Sequence, residues 1–225
     1  IRLVDLAEKN SWVWGAAYSG ANERVIVGTN SGSIDNLQLS FETVHALYRE
    51  KYAYRENLTD IVIHHLTADR KVRIKCKDII RRISLYRNKL AVQLSDKVCV
   101  YESNADEAQD MHFRARKERM TISDKQCDMM LVTSEHLLFT VGPVIELYSF
   151  EGKRQRVWRM ESPVVFIKVD GGHEGKEGLL LGMENGIISK IYVDNPFPVE
   201  LMKRDKKIVC ADSSLYRTKI ASVDS

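Results

Sequence analysis

A chain of 225 residues that is 44% hydrophobic and 29% charged carries enough apolar material for a sizeable core, which excludes global disorder. Its 34 Lys and Arg against 31 Asp and Glu leave a formal charge of +3, too small and too dispersed for a dedicated nucleic-acid binder. No apolar run approaches the ~18 residues needed to cross a bilayer, so a soluble chain without a transmembrane segment is expected.

In chain order, Ser11-Trp-Val-Trp-Gly-Ala-Ala17 comes first, and Trp12 and Trp14, like Trp158 further on, are expected to pack in a core or between neighbouring sheets. Strand-sized runs follow at Arg24–Val27, Asp60–Ile63, Lys71–Cys76, Lys89–Val92, Lys97–Tyr101, His136–Phe139, Val144–Tyr148, Val164–Val169 and Ile187–Tyr192. They are rich in β-branched and aromatic residues and punctuated by Gly, Asn, Asp and Ser, which predicts an all-β fold.

Candidate second strands of a repeating unit begin at Arg24, Lys89, His136, Gly178 and Thr218, at intervals of 65, 47, 42 and 40 residues. The last three fit the ~40–45 residue period of WD40-type β-propeller blades, each of four antiparallel strands. The long first interval reads as an insertion of about half a blade over Phe41–Asn57, where Tyr and charge break the alternation, and a domain boundary is expected there.

Val27-Gly-Thr-Asn-Ser-Gly-Ser-Ile34 and Leu181-Gly-Met-Glu-Asn-Gly-Ile-Ile188 share one frame at a separation of 154 residues, close to four periods. Each reads as the hairpin between the second and third strands of a blade, with turn residues that tolerate positive φ. A seven-blade ring needs on the order of 280 residues, so about five units make an incomplete propeller. The start at Ile1 and the end inside an apolar run at Ser225 read as cuts within a longer polypeptide.

Motifs that carry chemistry are missing. Gly171-Gly-His-Glu-Gly-Lys-Glu-Gly178 lacks the spacing and the hydroxyl of a phosphate-binding loop and reads as an inter-strand loop. His64 and His65 are adjacent in a strand and point to opposite faces, and His45, His112, His136 and His173 have no ligand spacing. Cys76, Cys99, Cys127 and Cys210 are too scattered for a zinc site and read as reduced core or strand thiols. With no nucleophile motif either, the expectation is a non-enzyme with no cofactor and no metal.

The most basic stretch holds Arg70, Lys71, Arg73, Lys75, Lys77, Arg81, Arg82, Arg87 and Lys89. Alternation with Val72, Ile74 and Cys76 places Lys71, Arg73, Lys75 and Lys77 on one strand face, the candidate interaction face. An ordinary solvated edge explains such charges, and so does an acidic protein or lipid headgroup; nucleic acid fits less well because no stacking aromatics accompany them. Arg81-Arg82-Ile83-Ser84 outlines a phosphorylation site, but inside a predicted strand.

Longer segments are more specific. Val44-His-Ala-Leu-Tyr48, Tyr52-Ala-Tyr-Arg55, Lys71-Val-Arg-Ile-Lys-Cys-Lys77 and Ile83-Ser-Leu-Tyr-Arg-Asn-Lys-Leu-Ala-Val-Gln-Leu94 resemble the intraflagellar transport protein 122 family. Asp110-Met-His112, Trp158-Arg-Met-Glu-Ser162, Phe166-Ile-Lys-Val169, Glu177-Gly-Leu-Leu-Leu-Gly182 and Ile191-Tyr-Val-Asp-Asn195 are similar to it in the same order. The chain departs from WD-repeat habit in having no Trp-Asp pair, and its one Gly-His pair, Gly172-His173, precedes a second strand.

The resemblance implies the last blade of an N-terminal propeller over residues 1–44 and about four blades of a second over 45–225. It implies a subunit of the intraflagellar transport A complex, acting in retrograde transport and in ciliary entry of membrane receptors. Partners so implied are the other subunits of that complex, cargo adaptors and the transport B complex, in cilium, basal body and cytoplasm. The alternative is a propeller that takes phosphoinositide lipid or RNA on its basic face.

Overall fold

The computed structural model describes residues 12–20, 24–38, 43–103, 111, 113–121, 127–214 and 216–225, with the side chains of 38 and 116–121 left aside. These residues form strands and turns and no helix. The chain divides into two compact units, 1–43 and 44–225.

The first unit is an antiparallel sheet of β1 (Val13–Ser19), β2 (Arg24–Thr29) and β3 (Ile34–Gln38), in that order. The β2–β3 hairpin turns at Gly32, whose φ of 84° suits glycine. Trp12 and Trp14 do not pack in a core as expected: they are 77% and 80% exposed, because no second layer lies on this sheet among the described residues of the unit. Trp158, in the second unit, is buried.

The second unit holds four four-stranded antiparallel sheets and one of two strands. The first contains β4 (His45–Tyr48), β5 (Lys51–Arg55), β6 (Asp60–His65) and β7 (Arg70–Lys75). The second contains β8 (Arg82–Tyr86), β9 (Lys89–Gln93), β10 (Lys97–Ser103) and β11 (Phe113–Thr121). The third contains β12 (Met129–Val132), β13 (His136–Val141), β14 (Val144–Ser149) and β15 (Arg154–Arg159). The fourth contains β16 (Val164–Val169), β17 (Gly178–Met183), β18 (Ile187–Tyr192) and β19 (Val199–Lys203), and β20 (Ile208–Ser213) pairs with β21 (Ile220–Asp224).

No half-blade insertion separates the repeats. Second strands begin at Arg24, Lys51, Lys89, His136, Gly178 and Ile220, so the interval of 65 residues is two intervals, of 27 and 38. The sheet β4–β7 is a complete blade whose second strand, β5, had been hidden in the Tyr-rich segment.

Each sheet's first strand touches the first strand of the next: β4 meets β8, β8 meets β12, β12 meets β16, and β16 meets β20. Polar bonds reinforce this row, since Ser84 Oγ accepts from Val132 N at 2.9 Å and Arg82 Nε donates to Cys127 O at 3.1 Å. Ser84 is therefore buried and engaged, which accounts for the phosphorylation outline as packing.

One apolar cluster fills each gap between successive sheets. Leu137 and Phe139 face back onto Ala91 and Val98, while Leu138 faces forward with Ile145 onto Leu179 and Leu181. Leu180 in turn faces Ile208 and Ala211 of the next sheet. A strand buried on both faces needs an unbroken apolar run, which is why Gly178-Leu-Leu-Leu shows no polar alternation. Each such side chain contributes about 1.5–3 kcal/mol by leaving water. The succession does not close among the described residues and ends on the two-stranded sheet.

The β17–β18 hairpin repeats the β2–β3 turn, with Gly186 also at φ 84°. A Cβ at Gly186 would lie 2.1 Å from Arg204 O, whereas one at Gly32 would meet nothing within 4 Å. Gly32→Ala is expected to cost only the backbone term, about 1 kcal/mol. Gly186→Ala adds a steric clash and should cost about 2–4 kcal/mol, read as a fall in urea midpoint.

Candidate protein-docking surfaces

Strand β7 is the outer edge of its sheet, hydrogen-bonded only to β6 among the described strands. Val72 and Ile74 lean on the apolar cluster between the first two sheets, so alternation turns Lys71, Arg73 and Lys75 outward, where all three are exposed. Lys77 is also exposed, but it lies in the turn after the strand and not on it. Arg73 is bound to Glu56 and lies 3.9 Å from Asp60. No ion pair engages Lys71, Lys75 or Lys77 among the described residues. Charges along an exposed edge block sheet-to-sheet aggregation and also offer a cationic strip.

Arg82, Arg87 and Lys89 of the basic stretch turn inward, while Arg70 and Arg81 are exposed. Lys89 is buried and paired with Glu102, and Arg82 is spent on Cys127 O. Arg87 reaches across to the β16–β17 connection, donating to Gly172 O at 2.8 Å and Glu174 Oε1 at 3.0 Å.

A repeat of Tyr-Arg-x-Lys, each preceded by Leu, was missed in the sequence: Tyr48-Arg-Glu-Lys51, Tyr86-Arg-Asn-Lys89 and Tyr216-Arg-Thr-Lys219. All three occupy the connection from the first to the second strand of a sheet, and Arg49, Arg87 and Arg217 all take positive φ, at 50°, 50° and 56°. A non-glycine residue there carries a cost of about 1–2 kcal/mol, which Gly or Asn would reduce. Arg49 and Arg87 each lie over the preceding tyrosine at 5.4 Å, and the Tyr48 and Tyr86 rings meet edge-on at 5.0 Å. Burial lowers the Arg87 guanidinium, yet Tyr86, Tyr48, Glu174 and Glu177 outweigh it and hold its pKa above the usual arginine value. Burial pushes the Tyr86 hydroxyl up.

The Gly171–Gly178 segment is the loop that the sequence implied. Gly171, Gly172 and Gly175 have φ of 79°, 134° and 71°, and residues of three other sheets hold the loop. Arg87 holds Gly172, Ser134 N donates to the buried Glu177 carboxylate at 3.0 Å, and Arg217 lies so close to Gly171 that a Cβ would sit 2.5 Å from its Nη2.

His64 bonds Asp69 at 2.7 Å and the buried His65 faces Glu50 at 3.5 Å, while His112 lies outside the described residues. No group of three or more His, Cys, Asp or Glu side chains fit for a metal occurs among the described residues. No disulfide joins the four cysteines, and burial raises the pKa of Cys76. At the other ends of the inner strands an open recess of about 500 Å³ is lined by Asp128, Met129, Val164 and Ile208.

Four-stranded antiparallel sheets joined through their first strands define a β-propeller, and solved structures share this fold. Kluyveromyces lactis Hsv2 matches 95% of the chain and 72% of its own at a TM-score of 0.53 and 13% identity. The BBS1N structure in complex with ARL6DN matches 93% of the chain and 71% of its own at 0.59 and 12%. The family model of the IFT122 second beta-propeller matches residues 45–225. Intraflagellar transport protein 122 homologs of Danio rerio and Homo sapiens are each 42% identical over 224 residues, covering 100% of this chain. The chain belongs to the IFT122 family and spans 19% and 18% of the length of these two relatives.

Exposed charges without partners add little to stability. The triple change Lys71→Glu, Lys75→Glu and Lys77→Glu is expected to shift unfolding by no more than about 0.5 kcal/mol. Arg73→Glu, which sets a third carboxylate beside Glu56 and Asp60, should cost about 1 kcal/mol by chemical denaturation.

Proposed function

We propose that the protein is a non-catalytic scaffold subunit of the intraflagellar transport A complex. Family membership carries this reading: proteins named for intraflagellar transport match the chain at 42% identity over its whole length. In this reading residues 1–44 are the last blade of an N-terminal WD40 propeller, and residues 45–225 are about four blades of a second. The protein works in cilium, basal body and cytoplasm, docking sister subunits, cargo adaptors and the transport B complex in retrograde transport and in the ciliary entry of membrane cargo.

A stack of sheets with solid apolar gaps leaves edges and turns as the surfaces free to bind, which suits docking. The outer edge carrying Lys71, Arg73, Lys75 and Lys77 is the face assigned to an acidic surface of a sister subunit. The test is affinity purification of the full-length protein from ciliated cells, beside the Lys71, Lys75 and Lys77 to Glu variant. Transport A subunits are expected with the wild type and are depleted in the variant. Their presence with both forms would remove the edge from the assembly, and their absence with the wild type would end the scaffold reading.

A further inference from the structure

The three Tyr-Arg-x-Lys connections call for an explanation beyond folding. Elsewhere among the described residues positive φ falls on glycine, as at Gly32, Gly142, Gly152 and Gly186, with Asp69 the single exception. At three equivalent connections it accepts arginine in that strained conformation, an arrangement that marks functional positions.

These arginines form one contiguous cationic track. Arg49 lies over Tyr48, Tyr48 meets Tyr86, and Arg87 lies over Tyr86. Arg87 then bonds Gly172, and Arg217 rests against the adjoining Gly171. Arg49, Arg217 and Lys219 are exposed, and no ion pair engages them among the described residues. The nearby acids have other partners: Glu50 faces His65, Glu102 is bound to Lys89, and the buried Glu177 accepts from Ser134 N. Glu135 lies beside Gly175.

Glu174 shows which chemistry the track takes. It is 69% exposed, carried on a loop with glycines at positive φ, and its carboxylate already sits on the Arg87 guanidinium. Arginine held by a ring and a strained turn is preorganised for carboxylates, its fork matching their two oxygens. We propose that this track is a docking site for an acidic peptide segment of a partner protein, in which Glu174 is an internal competitor for Arg87. The site is separate from the β7 edge and does not depend on it.

The test is fluorescence anisotropy of a fluorescein-labelled hexaglutamate peptide with the full-length protein at low ionic strength. Asn tolerates positive φ, so Arg49→Asn with Arg217→Asn removes two charges while keeping both turns, and urea midpoints check the fold. Losing two charge-assisted contacts should weaken binding roughly tenfold or more. Glu174→Gln frees Arg87 and should tighten binding about threefold, a gain that a merely structural Glu174 would not give. Affinity unchanged by the arginine substitutions, or weakened by Glu174→Gln, would overturn the proposal. So would failure to bind hexaglutamate alongside binding to vesicles containing phosphatidylinositol bisphosphate, which would assign the track to lipid phosphate.

Discussion

The structure of residues 44–225 depends on one constraint: a four-stranded sheet with two apolar faces cannot stand alone in water. Each sheet is stabilised by the next, and the middle strands, buried on both sides, make the contact in both directions. Leu138 between Leu137 and Phe139, and Leu180 between Leu179 and Leu181, divide one strand's side chains between two clusters. A cavity opened in one gap therefore weakens two sheets through their shared strand, and the order of sheets along the chain becomes their order in space. Polar side chains complete the row where inner strands meet, as Ser84 and Arg82 do against the third sheet.

Repetition was legible because it rests on turn chemistry and apolar runs, both local properties of sequence. The Gly32 and Gly186 hairpins share φ as well as frame, and the apolar second strands declare themselves. The β5 strand did not, for a physical reason. Its inward positions hold Lys51 and Ala53, both buried, and its half-buried outward positions hold Tyr52 and Tyr54, whose rings stack at 5.4 Å. Charge inside and aromatics outside invert the usual pattern, so the half-blade of β4 and β5 was read as an insertion.

Partnerships between strands and between sheets were not legible. Nothing local to Lys89, Arg82 or Arg87 predicts Glu102, Cys127 or Gly172, and in sequence these cations look the same as Lys71 or Lys75. The fold sorts them: Lys89 pairs within its own sheet, Arg82 and Arg87 reach other sheets, and Lys71 and Lys75 on the outer edge meet solvent. The Tyr-Arg-x-Lys repeat lay in plain view at three turns, but its meaning needs the positive φ of each arginine and the loop that two of them touch.

The two cationic surfaces differ in kind. At the β7 edge, lysines on long flexible stems face open water, so their attraction is screened by salt and loses side-chain entropy on every contact. At the inner turns, arginines are fixed by strained backbone, and Arg49 and Arg87 by aromatic rings as well, so much of that entropy is already lost on folding. The edge suits steering and broad electrostatic complementarity, and the turns suit a particular carboxylate in a particular place. A scaffold gains from both, because a long-range field gathers partners and a preorganised track selects among them. The stacked sheets make the division possible by holding the outer edge and the inner turns at opposite ends of each blade.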